Sequence, residues 1–244
     1  MNIAFIGFGK VAFYLSKIID DDNINFVTSC ENRSHKTIDL IDKSNIQVFD
    51  TFEQAIEISD IVISANSPSS AYSVAQKYKD CCRGIFVDLN NISPETTGKI
   101  SGLYDNFVDA AIIGKIDSSN PSLYLSGDKA GELLFLNDFL NVNIVSRNIG
   151  DASKLKLLRS TYTKALSVLL IECYELAKKH SLDGEFFDIL SLTEGDDFKD
   201  KSLSRINNTI NSNKRKREEI MEIIDYFGDD LIMIVAAYEK LSQF

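Results

Sequence analysis

The chain has 244 residues, a formal net charge of −10 and a pI near 4.8, and 44 % of its residues are hydrophobic. This length suits one large domain or two modest ones, and the acidity argues against nucleic acid as the main partner. The four cysteines and two histidines lack metal-ligand spacing, so neither a metal site nor a disulfide framework is expected.

The first apolar run, residues 2–6, predicts a strand rather than a signal peptide, and no apolar run approaches about 18 residues. We therefore expect a soluble, cytoplasmic protein without a membrane partner. The run stops at a G-x-G-x-x-A turn that opens a helical pattern, which is a dinucleotide-binding signal. Its glycines allow a tight turn and a close approach to pyrophosphate at a helix N-terminus. The predicted cofactor-binding residues of this turn are Gly7, Phe8, Gly9, Lys10, Val11 and Ala12.

The second strand, residues 24–29, is followed by the loop that selects between NAD and NADP. An acid here binds the ribose 2′-hydroxyl of NAD, whereas an arginine with hydroxyl neighbours accepts the 2′-phosphate of NADP. Both types occur, because Glu31 precedes Asn32, Arg33 and Ser34. We favour NADP bound by the last three residues; the alternative is that Arg33 is an ordinary exposed loop arginine.

Strand and helix patterns alternate after this loop. Strands are predicted at 47–49, 61–65, 85–88, 107–113, 123–126 and 142–146, with helices at 52–58, 68–78 and 130–140 and a helix start at Pro94. This alternation indicates the α/β class, with a twisted, mostly parallel sheet covered on both faces. Ligands bind beyond the carboxyl ends of such strands. Further cofactor contacts are therefore expected at Ala65, Asn66 and Ser67.

A stretch of about thirty residues without glycine or proline follows Gly150 and predicts one long helix. Apolar residues recur along it, but Lys156, Ser160, Lys164 and Ser167 form a polar line at spacings of four, four and three. Because a buried lysine is costly without a partner, this line suggests a site. The alternative is that the line simply faces water.

Everything after the long helix has a helical pattern, at 184–192, 200–211, 216–227 and 229–241. We place the domain boundary near Asn148, with domain 1–148 binding the cofactor and domain 149–244 serving substrate binding and dimerisation. About ninety helical residues have little core of their own, so a homodimer is expected through this region. The apolar positions behind this expectation are Phe186, Phe187, Ile189, Leu190, Ile220, Ile223, Ile232 and Val235.

Four stretches together resemble the β-hydroxyacid dehydrogenase family, which includes 3-hydroxyisobutyrate and 6-phosphogluconate dehydrogenases. They are residues 7–12, 88–94, 109–114 and 150–156. The likeness covers nearly the whole chain and is strongest to an uncharacterised 6-phosphogluconate dehydrogenase-like branch with a short helical C-terminal domain. It implies a Rossmann-type domain joined through a long helix to an all-α domain.

The resemblance also implies site residues, although this chain departs from the family pattern. The family's D-x-S-T turn falls on residues 88–91, where Asn90 replaces the serine that helps hold a substrate carboxylate and can still donate a hydrogen bond. Asn91, beside it, is a further substrate-binding candidate. Its S-G-G turn falls on residues 113–115, where Gly114 is kept and Lys115 brings a positive charge. Lys156 carries over as the catalytic lysine, and Ser160 stands where an asparagine positions substrate. Lys164, on the same polar line, is a further substrate-binding candidate.

We therefore expect an NADP-dependent oxidoreductase that acts on a small hydroxy or oxo acid, with Lys156 as general acid and base. NAD is the less favoured cofactor. Two alternatives stay open at this point: an imine reductase on the same scaffold, and an NADP-binding regulatory protein without turnover.

Overall fold

Eight strands form one sheet in the computed structural model, which describes residues 1–118 and 120–244. The strands are β1 (Asn2–Ile6), β2 (Asn25–Ser29), β3 (Gln47–Phe49), β4 (Ile61–Ser64), β5 (Ile85–Asp88), β6 (Phe107–Ile113), β7 (Ser122–Ser126) and β8 (Asn141–Ser146). Their order is β3-β2-β1-β4-β5-β6-β7-β8, and only the β6–β7 pair is antiparallel. The predicted, mostly parallel sheet is confirmed.

Short helices connect these strands. They are α1 (Lys10–Ile18), α2 (His35–Asp42), α3 (Phe52–Glu57), α4 (Ala71–Tyr78) and α5 (Pro94–Ser101), with 3₁₀ segments at Pro68–Ser70 and Ala130–Asp138. Helix α2, which has only eight residues, was not expected from the sequence pattern. The helix expected over 130–140 is a 3₁₀ helix. Its apolar residues do not concentrate on one α-helical face, so packing under the sheet decides its form.

The two faces of the sheet carry separate hydrophobic cores because neighbouring strand residues point to opposite sides. Ile3 and Phe5 of β1 belong to the core that includes residues of α1 and of the 3₁₀ helix Ala130–Asp138. Ala4 and Ile6 belong to the other core, which includes residues of α3, α4 and α5. Burial on both faces explains why these strands are almost continuously apolar.

The strand order reverses direction between β1 and β4. From β1 the chain goes to β2 and β3 on one side, and from β4 to β5 and β6 on the other. Crevices at such reversal points, outside the carboxyl ends of the strands, are where open α/β sheets bind ligands. The fold therefore places the glycine turn after β1 beside the loop after β4.

The chain divides into two compact units, Met1–Lys156 and Leu157–Phe244, and the division falls within the long helix α6 (Asp151–Lys179). The second unit continues with α7 (Asp183–Glu194), α8 (Phe198–Asn211), α9 (Asn213–Phe227) and α10 (Ile232–Leu241). Its core includes Ile171, Phe187, Ile220 and Ile223. The predicted helical C-terminal region is confirmed. Among the described residues, no helix combines the length and apolarity that crossing a membrane demands.

Candidate functional site

The turn after β1 has the geometry that its glycines predict. Gly7 has a φ of +91°, and a Cβ there would lie 2.6 Å from the carbonyl oxygen of Ala65, so only glycine fits. Gly9 is the N-cap of α1, and a Cβ there would meet nothing within 4 Å. Ala12 is fully buried against the sheet. An open approach therefore leads to the N-terminus of α1, whose N–H groups suit phosphate.

The other residues of this turn divide between core and surface. Phe8 is buried and packs edge to face against Phe5, and Val11 packs at the margin of the same core. Lys10 is exposed and its Nζ lies 2.8 Å from Oδ2 of Asp117, in the loop after β6. Phe8 and Val11 thus support the turn, while Lys10 is the side chain available at its surface.

The acid and the arginine of the loop after β2 have different partners. Glu31 accepts a hydrogen bond from Nδ2 of Asn32 (3.3 Å), and its carboxylate lies 3.8 Å from Nζ of Lys77. The guanidinium of Arg33 stacks over the ring of Phe52 at 4.7 Å, and its Nε is buried without a hydrogen-bond partner. Ser34 caps α2 through its hydroxyl. Arg33 is therefore held by packing, with hydrogen-bonding capacity to spare, and is not an ordinary exposed loop arginine.

A polar cluster follows the carboxyl ends of β4 and β5. Asn90 donates its backbone N–H (3.0 Å) and its Nδ2 (2.6 Å) to Oδ1 of Asp88. Nδ2 of Asn90 also donates to Oγ of Ser64 (2.9 Å), and Oδ1 of Asn90 accepts the backbone N–H of Asn66 (2.5 Å). Asn90 therefore ties the two loops together. Its amide hydrogens are engaged within the protein, so the predicted substrate contact of Asn90 stays a prediction.

The remaining turn residues of these loops lie nearer the surface. The backbone N–H of Ala65 donates to the carbonyl of Ile6, which joins this loop to the end of β1. Ser67 is the N-cap residue of the 3₁₀ segment Pro68–Ser70, and its hydroxyl lies 2.6 Å from that of Ser70. Asn91 is exposed. These positions agree with a loop that borders a binding crevice.

Asp109 on β6 fixes the start of α6. Its Oδ2 accepts the hydroxyl of Ser126 (3.0 Å) and the backbone N–H of Ser153 (2.9 Å), and its Oδ1 accepts the hydroxyl of Ser153 (2.6 Å). The backbone N–H of Ala152 donates to Oγ of Ser126 (3.0 Å). A carboxylate and a serine from the sheet thus satisfy N–H groups that a helix start leaves open.

Asp88 is the most perturbed acid of the cluster. It is 2 % exposed, and its Oδ2 is buried without a hydrogen-bond partner. The pKa of Asp88 is raised to about 7, mainly by burial and to a smaller extent by Asp109, while the hydrogen bonds from Asn90 and, least of all, the charge of Lys156 oppose the rise. The positive charge of Lys156, partly buried near the start of α6, therefore acts on this carboxyl group. Lys154 instead pairs with Asp151 at 3.0 Å.

The loop after β6 presents Gly114 and Lys115 at the surface. Gly114 has a φ of +100° and open space where a Cβ would lie. The carbonyl of Lys115 accepts the hydroxyl of Ser118 (2.8 Å). Lys115 thus offers a cation on a loop that the Lys10–Asp117 ion pair joins to the glycine turn.

Two predicted residues belong to the helical unit. Lys164 is 8 % exposed and forms an ion pair with Glu219 of α9, and its Nζ lies 3.4 Å from Oγ of Ser160. Arg215 and Lys216 also pair with Glu219. Burial lowers the pKa of Lys164, and Glu219 opposes that shift. Lys164 therefore has a structural partner that the sequence did not indicate, and the substrate roles of Ser160 and Lys164 stay predictions.

Asp88 and Asp109 are the residues whose importance sequence reasoning missed. Each is an acid within or at the end of an otherwise apolar strand, and that was the available signal. Their partners come from other loops and from α6, which local patterns do not reveal. Among the described residues, no group of three or more histidine, cysteine or acidic side chains is arranged to hold a metal ion.

The glycine turn and the Arg33 loop fit a dinucleotide. Space is open at Gly9, the N-terminus of α1 faces it, and Arg33 retains a buried donor without a partner. The pyrophosphate of NADP would be held by the glycine turn and the helix N-terminus, and the phosphate on its adenosine ribose would be held by Arg33. The residues present thus suit this cofactor class.

Comparisons with known proteins agree with this fit. Residues 2–91 match the family model of coenzyme F420-dependent NADP oxidoreductases. An uncharacterised 28.5 kDa protein in a 7S RNA 5′ region of Methanothermus fervidus is 40 % identical over 226 residues, 91 % of this chain and 89 % of that protein.

Solved structures extend the likeness to the complete chain. A conserved protein of unknown function, described as structurally similar to 3-hydroxyacid dehydrogenases, is 34 % identical, with a TM-score of 0.86 over 100 % of this chain and 97 % of that one. The 3-hydroxyisobutyrate dehydrogenase of Mycobacterium tuberculosis, solved with L-serine, is 17 % identical and has a TM-score of 0.78 over 100 % and 93 %. The second likeness concerns the fold alone.

Proposed function

The chain belongs to the β-hydroxyacid dehydrogenase-like family of NAD(P)-dependent oxidoreductases, and from this premise we propose that it transfers hydride between NADP and a small hydroxy or oxo acid. Lys156 is the general acid and base of this reaction. One observation carries the proposal. The glycine turn, which is open to a dinucleotide, lies in the same compact unit, Met1–Lys156, as Lys156, whose charge acts on the buried Asp88.

The Arg33 loop supports NADP over NAD. Nε of Arg33 is a buried donor without a partner, and Oε2 of Glu31 is a buried acceptor without one, but the other oxygen of Glu31 interacts with Asn32 and lies near Lys77. Lys77 therefore offsets the negative charge that would repel a 2′-phosphate, and Arg33 and Ser34 supply donors to it. When bound, NADP supplies the hydride chemistry, and the protein supplies orientation and the proton.

Lys156 handles the proton at the reacting oxygen. In reduction, its ammonium donates a proton to the oxygen that becomes a hydroxyl, which leaves a neutral amine. In oxidation, the neutral amine accepts the hydroxyl proton. Proton transfer of this kind contributes roughly 10²- to 10⁴-fold to the rate.

The exposed loops supply the contacts for the acid group of the substrate. Lys115 offers positive charge beside Gly114, which has open space around it, and Asn91 offers an amide at the surface. Asn90 organises this edge through its bonds to Asp88 and Ser64. A carboxylate substrate is therefore favoured over a neutral one.

The test is turnover with NADPH or NADP against a panel of small hydroxy acids, oxo acids and cyclic imines. Turnover of a hydroxy or oxo acid supports the proposal. Turnover of cyclic imines alone assigns the chain to C=N reduction, and cofactor binding without turnover of any compound identifies a binding protein. Either of the last two outcomes overturns the proposed reaction.

Variants of the two lysines test the role of Lys156. Lys156→Ala is expected to slow the chemical step by roughly 10²- to 10⁴-fold, about 3 to 5 kcal/mol, with cofactor binding retained. Lys156→Arg is expected to be nearly as slow, because a guanidinium does not deprotonate in this range. Lys154→Ala is the matched control, since Lys154 pairs with Asp151. Loss of turnover in the Lys154 variant alone would refute the assignment.

Calorimetric titration tests the cofactor preference. NADPH is expected to bind more tightly than NADH, and Arg33→Ala is expected to narrow the difference by removing a charged donor. Arg83→Ala is the control, because Arg83 is exposed and precedes β5, away from the carboxyl ends of the strands. Equal affinities in the unmodified protein would contradict NADP specificity.

An apolar stripe on α6 supports the homodimer. Leu158, Tyr162, Leu169 and Leu176 recur on one line of the helix and are between 47 % and 67 % exposed. Exposed stripes of this kind mark contact surfaces, and a second copy of the chain presents the same apolar line. Light scattering is expected to show a dimer, and Leu169→Asp is expected to weaken it. Leu134→Asp is the control, because Leu134 is also exposed but lies in the unit Met1–Lys156, and this change should leave the dimer intact. A stable monomer at micromolar concentration would exclude it.

A further inference from the structure

Two buried acids face each other across neighbouring strands. Asp88 of β5 and Asp109 of β6 are register partners in a parallel pair, and they are 2 % and 1 % exposed. Adjacent strands lie about 4.8 Å apart, so two carboxylates at this position repel each other strongly unless positive charge or hydrogen bonds compensate them.

The hydrogen bonds are distributed unequally between the two acids. Asp109 receives three, and they engage both of its oxygens. Asp88 receives two, both on Oδ1 and both from Asn90, while Oδ2 has no partner. Asp88 is therefore the acid whose second oxygen lacks compensation from hydrogen bonds.

The route of α6 brings a cation to this place. Asp109 binds the backbone N–H of Ser153, which fixes the first turn of α6 at β6. Lys156 follows three residues later, close to one helical turn, and so lies on the side of the helix that Ser153 occupies. In the sheet, β6 is bordered by β5, which ends in Asp88. The charge of Lys156 acts on the carboxyl group of Asp88.

We propose that Asp88 is a positioning residue for the reaction: its carboxylate is the counter-ion that keeps Lys156 in the ammonium form and holds it at the carboxyl end of β5. This inference deepens the proposed function and rests on Lys156 as the proton-transfer group. Asp88 itself does not touch substrate. It sets how readily Lys156 releases its proton to the reacting oxygen.

The raised pKa of Asp88 is compatible with this role. Burial raises the pKa of Asp88 to about 7, so the acid ionises near neutrality, when the ammonium of Lys156 stabilises the carboxylate. Asp109 on β6 also acts on Asp88 and raises its pKa, and Asp88 in turn adds to the raised pKa of Tyr104, whose main cause is burial.

A purely structural role for Asp88 is the competing explanation. In it, the acid only receives the Asn90 hydrogen bonds and shapes the loop. Asp88→Asn separates the two explanations, because an asparagine has the same shape and its Oδ1 still accepts both bonds from Asn90. The substitution removes the negative charge that acts on Lys156 and on Asp109, and an amide nitrogen takes the place of Oδ2.

The experiment measures the pH midpoint of Lys156 modification by acetic anhydride, read by mass spectrometry. In Asp88→Asn the midpoint of Lys156 is expected to fall by about one pH unit, since the ammonium loses the opposite charge that acts on it. The midpoint of Lys154 is expected to stay unchanged. Asp151→Asn is the matched control, in which the midpoint of Lys154 falls and that of Lys156 does not. An unchanged Lys156 midpoint in Asp88→Asn overturns the proposal.

A reciprocal measurement keeps the test decisive if Asp88→Asn does not fold. In Lys156→Met, carbon-13 NMR of labelled aspartate is expected to show a higher pKa for Asp88, because linked sites change each other equally. An unchanged pKa of Asp88 in this variant overturns the proposal.

Neither measurement needs substrate or cofactor, so failure of the inference can be told apart from failure of the proposed function. Coupling between Lys156 and Asp88 without turnover of any panel compound would defeat the function alone. Turnover that depends on Lys156 without this coupling would defeat the inference alone.

Discussion

Replacing Asp109 by alanine tests whether this acid anchors the start of α6. The carboxylate receives three hydrogen bonds at 2.6 to 3.0 Å and is 1 % exposed. Hydrogen bonds to a charged group contribute about 1.5 kcal/mol or more each, so Asp109→Ala is expected to lower the free energy of unfolding by about 4 kcal/mol. The loss includes a buried helix N–H and two serine hydroxyls that are left without their partner.

Two further variants make the magnitude interpretable. Asp109→Asn is expected to cost only about 1 to 2 kcal/mol, because its oxygen can accept from Ser126 and the Ser153 N–H while its amide donates to the Ser153 hydroxyl. Asp60→Ala is the control: exposed Asp60 accepts a single backbone N–H, from Asn2 at 2.8 Å. That change is expected to cost less than about 1 kcal/mol.

The assay is urea unfolding followed by circular dichroism. It is made well below pH 7, where Asp88 is protonated and relief of carboxylate repulsion does not contribute. If Asp109→Ala costs no more than Asp60→Ala, the network does not hold α6 to the sheet. In that case the start of α6 would not position Lys156 beside Asp88 either.

Three further predictions concern other parts of the chain. Gly7→Ala is expected to destabilise the fold by more than about 1 kcal/mol in thermal unfolding, because the φ of Gly7 is +91° and a Cβ there would meet Ala65. Gly9 has open space around it, so Gly9→Ala should retain stability but bind NADPH at least about tenfold more weakly in calorimetry. Asp88 has a pKa of about 7 in the folded chain against an ordinary value of 3.8, so folding takes up protons between these values. Urea unfolding should therefore show the wild type losing stability relative to Asp88→Asn as the pH rises from about 4 to about 7, and a constant difference would contradict the raised pKa. Glu219→Ala is expected to lower the free energy of unfolding in urea by about 3 kcal/mol, because it leaves the ammonium of Lys164 buried without its carboxylate. The double change Lys164→Met with Glu219→Leu should lower it less, because no buried charge is left. Equal losses would show that the ion pair does not matter for stability.

The amino-acid sequence by itself determined the elements and the fold class. Gly7 of the G-x-G-x-x-A turn has a φ of +91°, and Gly9 has open space around it. Both features are local, because they depend on the missing Cβ of glycine. The β-α-β alternation predicted the sheet, since the period of apolar residues is a local property. It did not reveal α2, which is a single short segment of eight residues.

Only the tertiary structure decided how the site is arranged. Asp109 and Ser153 are 44 positions apart, yet their hydrogen bonds fix the start of α6, and the β5–β6 register sets Asp88 opposite Asp109. The sequence marked Lys156 through a helix pattern but gave no indication of its acidic neighbour. It also left Lys164 as a substrate candidate, whereas Glu219 from α9 pairs with it. Local periodicity reports which face of an element is apolar. It carries no information on which distant polar group that element meets, and only the folded chain brings Ser153 to Asp109 and Lys164 to Glu219.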